Sequence, residues 1–193
     1  MGSSYRASLE SWLKDLSIDC ETVIDLGGSQ LPVNNRVKSF KCNNYYILDM
    51  NMPHKVEQPP IATIDLNNSA TNQQGSGYMG LGDVVFCLEV FEYIYRPEVA
   101  LNWIRKFLNK NGTAYVTFPF MYPMHEPMAD DCLRYTLSGI TKLAHLADLD
   151  IISVIPRRPE TDQLLRFFSV ERLRAAKGHD HNVLGWIVEF KRS

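Results

Sequence analysis

The run Val23-Ile24-Asp25-Leu26-Gly27-Gly28 carries an apolar stretch into an acid and then into two glycines. It constrains the fold more than any other segment. A short apolar run that breaks into paired glycines reads as a buried strand ending in a tight turn. There the backbone must come close to something, and only glycine leaves room. Tyr45-Tyr46-Ile47-Leu48-Asp49 follows one strand–helix unit later. It sets a carboxylate at the tip of a neighbouring strand, where open parallel sheets hold a pair of ribose hydroxyls. The two segments together point to an adenosine-containing cofactor at the carboxyl edge of a parallel sheet.

Leu9, Trp12, Leu13 and Leu16 recur at helical spacing, so residues 5–16 are expected to form an amphipathic helix before the first strand, placed at 22–26. Only a brief helix is expected in 31–42, where apolar periodicity is lacking. The second strand is placed at 45–49. Pro53, Pro59 and Pro60 make 50–60 a loop. Residues 61–66 read as a weak third strand, and the Asn-, Gln-, Ser- and Gly-rich stretch 67–82 as a flexible surface excursion. Asp83-Val84-Val85-Phe86-Cys87-Leu88 has the near-continuous apolarity of a central parallel strand. Pro97 opens a helix whose buried stripe is Ala100, Leu101, Ile104, Phe107 and Leu108. Asn111-Gly112 reads as a sharp turn into a strand over 113–118. A loop from Pro119 to about Arg134 follows, then a helix marked by Ile140, Leu143, Ala144 and Ala147. Strands are placed at 149–155 and 184–190, separated by a helix opening near Ser169 and stopping at Gly178. Strand–helix alternation from end to end implies a three-layer α/β sandwich.

At 193 residues the chain suits one domain, 1–193, with an N-terminal helical segment (1–20) and a loop (119–135) set apart by its Pro, Met and His content. The formal charge of −2 argues against nucleic acid as a partner. Residues 151–193 carry eight basic against five acidic side chains, which reads first as a solvated helix face. Cys20, Cys42, Cys87 and Cys132 fall in no CxxC pair, so reduced thiols in a cytoplasmic setting are expected, with no metal site. No apolar run approaches a membrane span, and no signal peptide is expected at the start. Oligomeric state cannot be read from the sequence.

Six blocks in order now resemble a known family. Val23 to Gly28 is similar to the glycine motif of class I S-adenosylmethionine-dependent methyltransferases, close to the type 11 group. Asp49 and Asp65 stand where that family's ribose- and adenine-contacting acids stand. Asp83 to Ile94 resembles its strand-four block, Phe107 to Phe120 its strand-five turn and strand, and His125 with Asp131-Cys132-Leu133-Arg134-Tyr135-Thr136 its acceptor-side loop. The chain departs from the family at Ser29 and Leu31, which replace the second and third glycines, and at Tyr93, which replaces a histidine.

The resemblance implies a Rossmann-like sheet of seven strands, mostly parallel, with an antiparallel last strand. It implies S-adenosylmethionine as cofactor, held by Asp25, Gly27, Gly28, Ser29, Asp49, Met50, Asp65, Leu66, Leu88 and Glu89. Glu92 reads either as a further site residue or as an acid favoured at a helix start. On the acceptor side it implies Tyr93, Phe118, Asp131, Arg134 and Tyr135, with Asp131 and Arg134 either binding substrate or pairing to shape the loop. His125 is the candidate general base. Methyl transfer from a sulfonium needs alignment, water exclusion and sometimes proton removal, so no catalytic triad is required. The expected activity is O-methylation of a small-molecule or saccharide-type acceptor. The rival reading is a degenerate module of the same fold that binds cofactor or a partner without catalysis. A dinucleotide-dependent enzyme would want a fuller GxGxxG. A nucleic-acid methyltransferase would want a Pro-Pro-Tyr block where Leu88-Glu89-Val90-Phe91 stands.

Overall fold

The computed structural model describes residues 4–124, 126–158 and 183–193. Helix α1 (Ser4–Asp15) precedes strand β1 (Ser17–Leu26), then come β2 (Ser39–Asp49), β3 (Ala62–Thr63) and β4 (Gly82–Cys87). Helix α2 (Pro97–Phe107) leads into β5 (Leu108–Pro119). Helix α3 (Leu137–Leu146), β6 (Leu149–Arg157) and β7 (Gly185–Arg192) complete the order. The strands form one seven-stranded sheet in the order β3-β2-β1-β4-β5-β7-β6. All neighbours are parallel except β7, which runs antiparallel to both β5 and β6.

Alternation along the central strands sorts side chains to two faces. Ile24, Val85, Cys87, Ala114 and Val116 join the core packed with α2 and α3. Val23, Phe86 and Ile187 join Leu9 and Leu13 of α1 on the other face. Pro97 stands at the first turn of α2, where its missing N–H costs nothing, and the whole expected stripe of that helix is buried. Thr136 caps α3, its hydroxyl accepting from the Gly139 N–H at 3.1 Å.

Several elements differ from the sequence-based expectation. β1 and β2 begin about five residues early, because Ser17–Cys20 pairs in register with Ser39–Cys42. Those half-strands alternate polar and apolar residues and are held at the rim by side chains such as Lys41 on Asp19, 3.1 Å apart. The brief helix of 31–42 is a single 3-10 turn, Val33–Asn35, and β3 shrinks to two residues. Asn111-Gly112 is no turn. β5 runs through it with a register irregularity, Gly82 pairing Leu108 and Val84 pairing Thr113. The stretch 67–82 is anchored rather than loose. Trp103 Nε1 donates to the Asn68 carbonyl at 2.8 Å, Tyr78 packs its ring on Tyr46, and Gly75 is buried. The helix expected between Ser169 and Gly178 lies outside the described residues.

Candidate functional site

The strand order reverses at β1. The chain builds outward through β2 and β3, then returns to place β4 on the other side of β1. Open α/β sheets form their binding crevice at such a point, beyond the carboxyl ends of the strands. A cleft opens there. Its lining includes Asp25, Gly27, Gly28, Asp49, Met50, Asp65, Leu66, Leu88, Glu89 and Tyr93, ten residues expected from sequence.

The glycine turn is a packed unit. Asp25 is 3% exposed, and its Oδ2 accepts from the Val33 N–H at 2.9 Å and the Tyr45 hydroxyl at 2.6 Å. Burial pushes its carboxyl up to about 6, partly offset by those two donors and by the charge of Arg36. Gly27 has φ +75°, and a Cβ there would stand 2.4 Å from Val90 Cγ2. A Cβ on Gly28 would stand 2.4 Å from the Asp25 carboxyl. The Gly27 N–H donates to the Leu48 carbonyl at 2.8 Å, tying the turn to the end of β2.

Asp49 closes β2. One of its oxygens accepts from the Met50 N–H at 2.7 Å, the other from the Ser29 N–H at 3.2 Å. Ser29 itself is fully buried and does not line the cleft, and its hydroxyl has no partner among the described residues. Asp65 opens a turn by accepting from the Asn67 N–H at 2.9 Å, and its own N–H donates to Gln73 at 2.7 Å. Over the cleft, residues 50–60 contribute Pro53, His54 and Lys55 to the lining. That segment is tied down by the Glu57 and Gln58 N–H groups on the Ser29 carbonyl, and the His54 ring lies 5.3 Å from that of Tyr93.

The tip of β4 is the most unusual part. Glu89 has φ +56°, a left-handed conformation that strains a non-glycine residue. Three contacts hold it. Its N–H donates to the Thr117 hydroxyl at 2.7 Å, that hydroxyl donates back to Glu89 Oε1 at 3.2 Å, and the Arg157 guanidinium pairs with both carboxylate oxygens. Arg157 is fully buried at the end of β6. Glu92 also lines the cleft, is 5% exposed, and its Oε2 has no hydrogen-bond partner among the described residues. Burial first, and the Glu89 charge second, push its carboxyl up to about 8, against the pull of Arg157. It stands in the 3-10 turn Phe91–Tyr93 rather than at a helix start.

No protein-family model matches the sequence, and no curated protein matches it. Solved structures do match its shape. An S-adenosylmethionine-dependent methyltransferase from Mesorhizobium loti superposes with a TM-score of 0.60 at 13% identity, over 99% of both chains. A structure of the Haloferax volcanii Trm112 methyltransferase activator with a methyltransferase gives 0.61 at 12%, over 97% of this chain and 88% of that one. Mitomycin 7-O-methyltransferase gives 0.55 at 10%, over 98% of this chain and 53% of that one. The chain has the class I methyltransferase fold.

Within that fold the remaining expected site residues fall elsewhere. Phe118 is fully buried and packs on Phe91, Tyr135 and Phe190. Tyr135 is buried too, its hydroxyl donating to the carbonyls of Phe91 at 3.1 Å and Ile94 at 3.4 Å. Asp131 and Arg134 pair with each other, and Arg134 also donates to the carbonyls of Tyr122 and Pro123. None of these four lines the cleft. His125 lies outside the described residues. Arg6, Gln30, Leu31, Arg36, Lys55 and Val90 line the cleft without having been singled out as binding residues. Arg157 was also missed. Its one sequence signal is a charge placed directly after the run Ile151–Pro156, apolar but for Ser153.

Proposed function

We propose that this protein is an S-adenosylmethionine-dependent methyltransferase that methylates an oxygen of a small-molecule or saccharide-type acceptor. The observation that carries the donor reading is the gathering of Asp25, Gly27, Gly28, Asp49, Asp65 and Leu88 at one strand-order reversal of this fold. The residues fit the donor. Asp49 offers two carboxylate oxygens, each with one backbone donor and capacity to spare for a ribose hydroxyl. Leu66 and Ile94 give the cleft apolar wall for an adenine, with Asp65 at its edge. The bound donor supplies an already activated methyl group. The chain's task is to hold the acceptor in line with it and to exclude water.

The acceptor reading rests on analogy of the loop 119–135 and on one O-methylating neighbour of the same fold. In it, Tyr93 contacts the acceptor at the cleft wall, and His125 receives the hydroxyl proton. We assign residues 1–193 to one catalytic domain. A cytoplasmic setting is part of the proposal, supported by four free cysteines. No helix among the described residues is long and apolar enough to cross a membrane.

Leu31 favours the second reading, a cofactor-binding module without catalysis, because it puts a bulky side chain in the cleft where the family motif has glycine. Calorimetric titration with S-adenosylmethionine and S-adenosylhomocysteine separates the possibilities. Micromolar binding, weakened at least about tenfold in Asp49→Ala by the loss of charge-assisted hydrogen bonds, supports the donor site. No binding of either ligand overturns it. Binding without turnover across an acceptor panel favours the non-catalytic module.

A further inference from the structure

Three acids act on one another near the tip of β4, and two of them are held by arginines. Glu89 is held by the Arg157 guanidinium on both oxygens. Asp131 is held by Arg134. Glu92 lies among these groups, buried, lining the cleft, with Oε2 unpartnered among the described residues. An ionised Glu92 adds one uncompensated negative charge to a poorly solvated wall, which is costly. A neutral Glu92 leaves a buried polar atom unsatisfied. The ionised state is relieved by one positive charge entering the cleft. Val90, two residues before Glu92, touches the glycine turn, so this wall adjoins the proposed donor site.

We propose that Glu92 is a specificity-determining residue of the cleft, the carboxylate that pairs with a cationic sulfonium donor and so separates it from its neutral thioether product. The inference rests on the donor reading above. In the empty cleft Glu92 keeps its proton at neutral pH, because burial and Glu89 both oppose ionisation. Entry of the sulfonium favours the ionised form, and the proton leaves to solvent. Once the methyl has gone, the thioether no longer offsets that charge. Glu92 takes a proton back, and the cleft loses its preference for what it holds. The groups facing Glu92 are Cys87 at the end of β4 and Glu89 two residues beyond it, Arg157 on β6, and Asp131 and Tyr135 in the segment after β5, with Tyr93 beside it in sequence. Tyr93, Tyr135 and Cys87 are all raised above their ordinary values by burial and stay neutral, so none competes for the role.

The test is the proton count on binding. The full-length protein is titrated at pH 7 with S-adenosylmethionine and with S-adenosylhomocysteine, in phosphate and in Tris, whose ionisation heats differ. The α-amino groups of the ligands titrate in or near this range, so the reading is the difference between wild type and Glu92→Gln. The expected result is greater proton release with the sulfonium than with the thioether in wild type, with that excess absent in Glu92→Gln. At pH 9 the preference for sulfonium over thioether falls at least about tenfold in the variant, the equivalent of one pKa unit of lost pairing. An excess that persists in Glu92→Gln overturns the proposal, as does equal release by both ligands in wild type. If the variant does not fold, ¹³C-carboxyl titration of wild type decides. One glutamate must titrate near pH 8 in the free protein and move to lower pH with the sulfonium only, and its failure to move overturns the proposal. Absence of binding by both ligands overturns the donor reading instead, and this inference with it.

Discussion

Gly28 has no room for a side chain because the Asp25 carboxyl already fills the space, and Asp25 is fixed there by Val33 and Tyr45. The glycine pair is therefore first a packing requirement inside the chain, and only through that a feature of the cleft. Gly28→Ala puts a methyl group 2.4 Å from the carboxyl. We expect it to cost about 1–3 kcal/mol in denaturant unfolding and to weaken donor binding, since Asp25 must shift. A loss below about 0.5 kcal/mol with unchanged binding would contradict this packing account. Tyr45→Phe removes one of two donors to a buried carboxyl, for an expected loss of about 1–2 kcal/mol. The same change drives the Asp25 pKa further above about 6, since the Tyr45 hydrogen bond is the largest of its three lowering influences. Asp25, Gly27 and Asp49 were legible as residues because each ends an apolar run. Glu92 was visible only as one of two alternatives. Its burial depends on the loop after β5, whose Cys132 N–H donates to the Glu92 carbonyl at 2.7 Å.

Strand β6 ends where the cleft needs a cation. Arg157 reaches Glu89 across 68 residues of sequence and satisfies a carboxylate on a strained backbone. Arg157→Met keeps the stem but leaves Glu89 partly buried without its counter-charge. We expect a loss of about 3–5 kcal/mol, read as a fall in denaturation midpoint. In the double variant Arg157→Met/Glu89→Gln much of that loss should return. No recovery would mean that the arginine acts through packing alone. Thr136→Ala removes the cap of α3 and should cost about 1 kcal/mol without affecting donor binding. Elements with strong local signals were legible: α2 from Pro97 and its apolar stripe, β4 from its continuous apolarity. The early halves of β1 and β2 were not. Their residues are mostly polar, and they become strands by pairing with each other. β5 passes through Asn111-Gly112 because a Cβ on Gly112 would stand 2.4 Å from the Gly82 carbonyl, so this glycine permits close approach of two strands rather than a reversal.

At the scale of the whole molecule, two buried acids among the described residues carry raised values, Asp25 near 6 and Glu92 near 8. Unfolded, both titrate near 4. The native state therefore binds more protons than the unfolded state between about pH 4 and 8. By linkage this contribution to stability is complete below the unfolded values and is lost as pH rises through the folded ones. We expect the thermal midpoint to fall between pH 5 and pH 8.5, with Glu92→Gln removing most of the slope above pH 6. A variant that keeps the full slope would place the titration elsewhere. The sequence by itself determined the α/β alternation, the order of the elements and the glycine–acid signature at the ends of β1 and β2. These are written in local apolar runs and in residues that only certain turns tolerate. The resemblance added the antiparallel last strand. Tertiary structure alone decided that Phe118 and Tyr135 turn into the core, that Asp131 and Arg134 strut a loop, and that Arg157 and Glu89 meet beyond the tip of β4. Those outcomes depend on packing between segments far apart in the chain. No local pattern encodes which buried charge will find which partner.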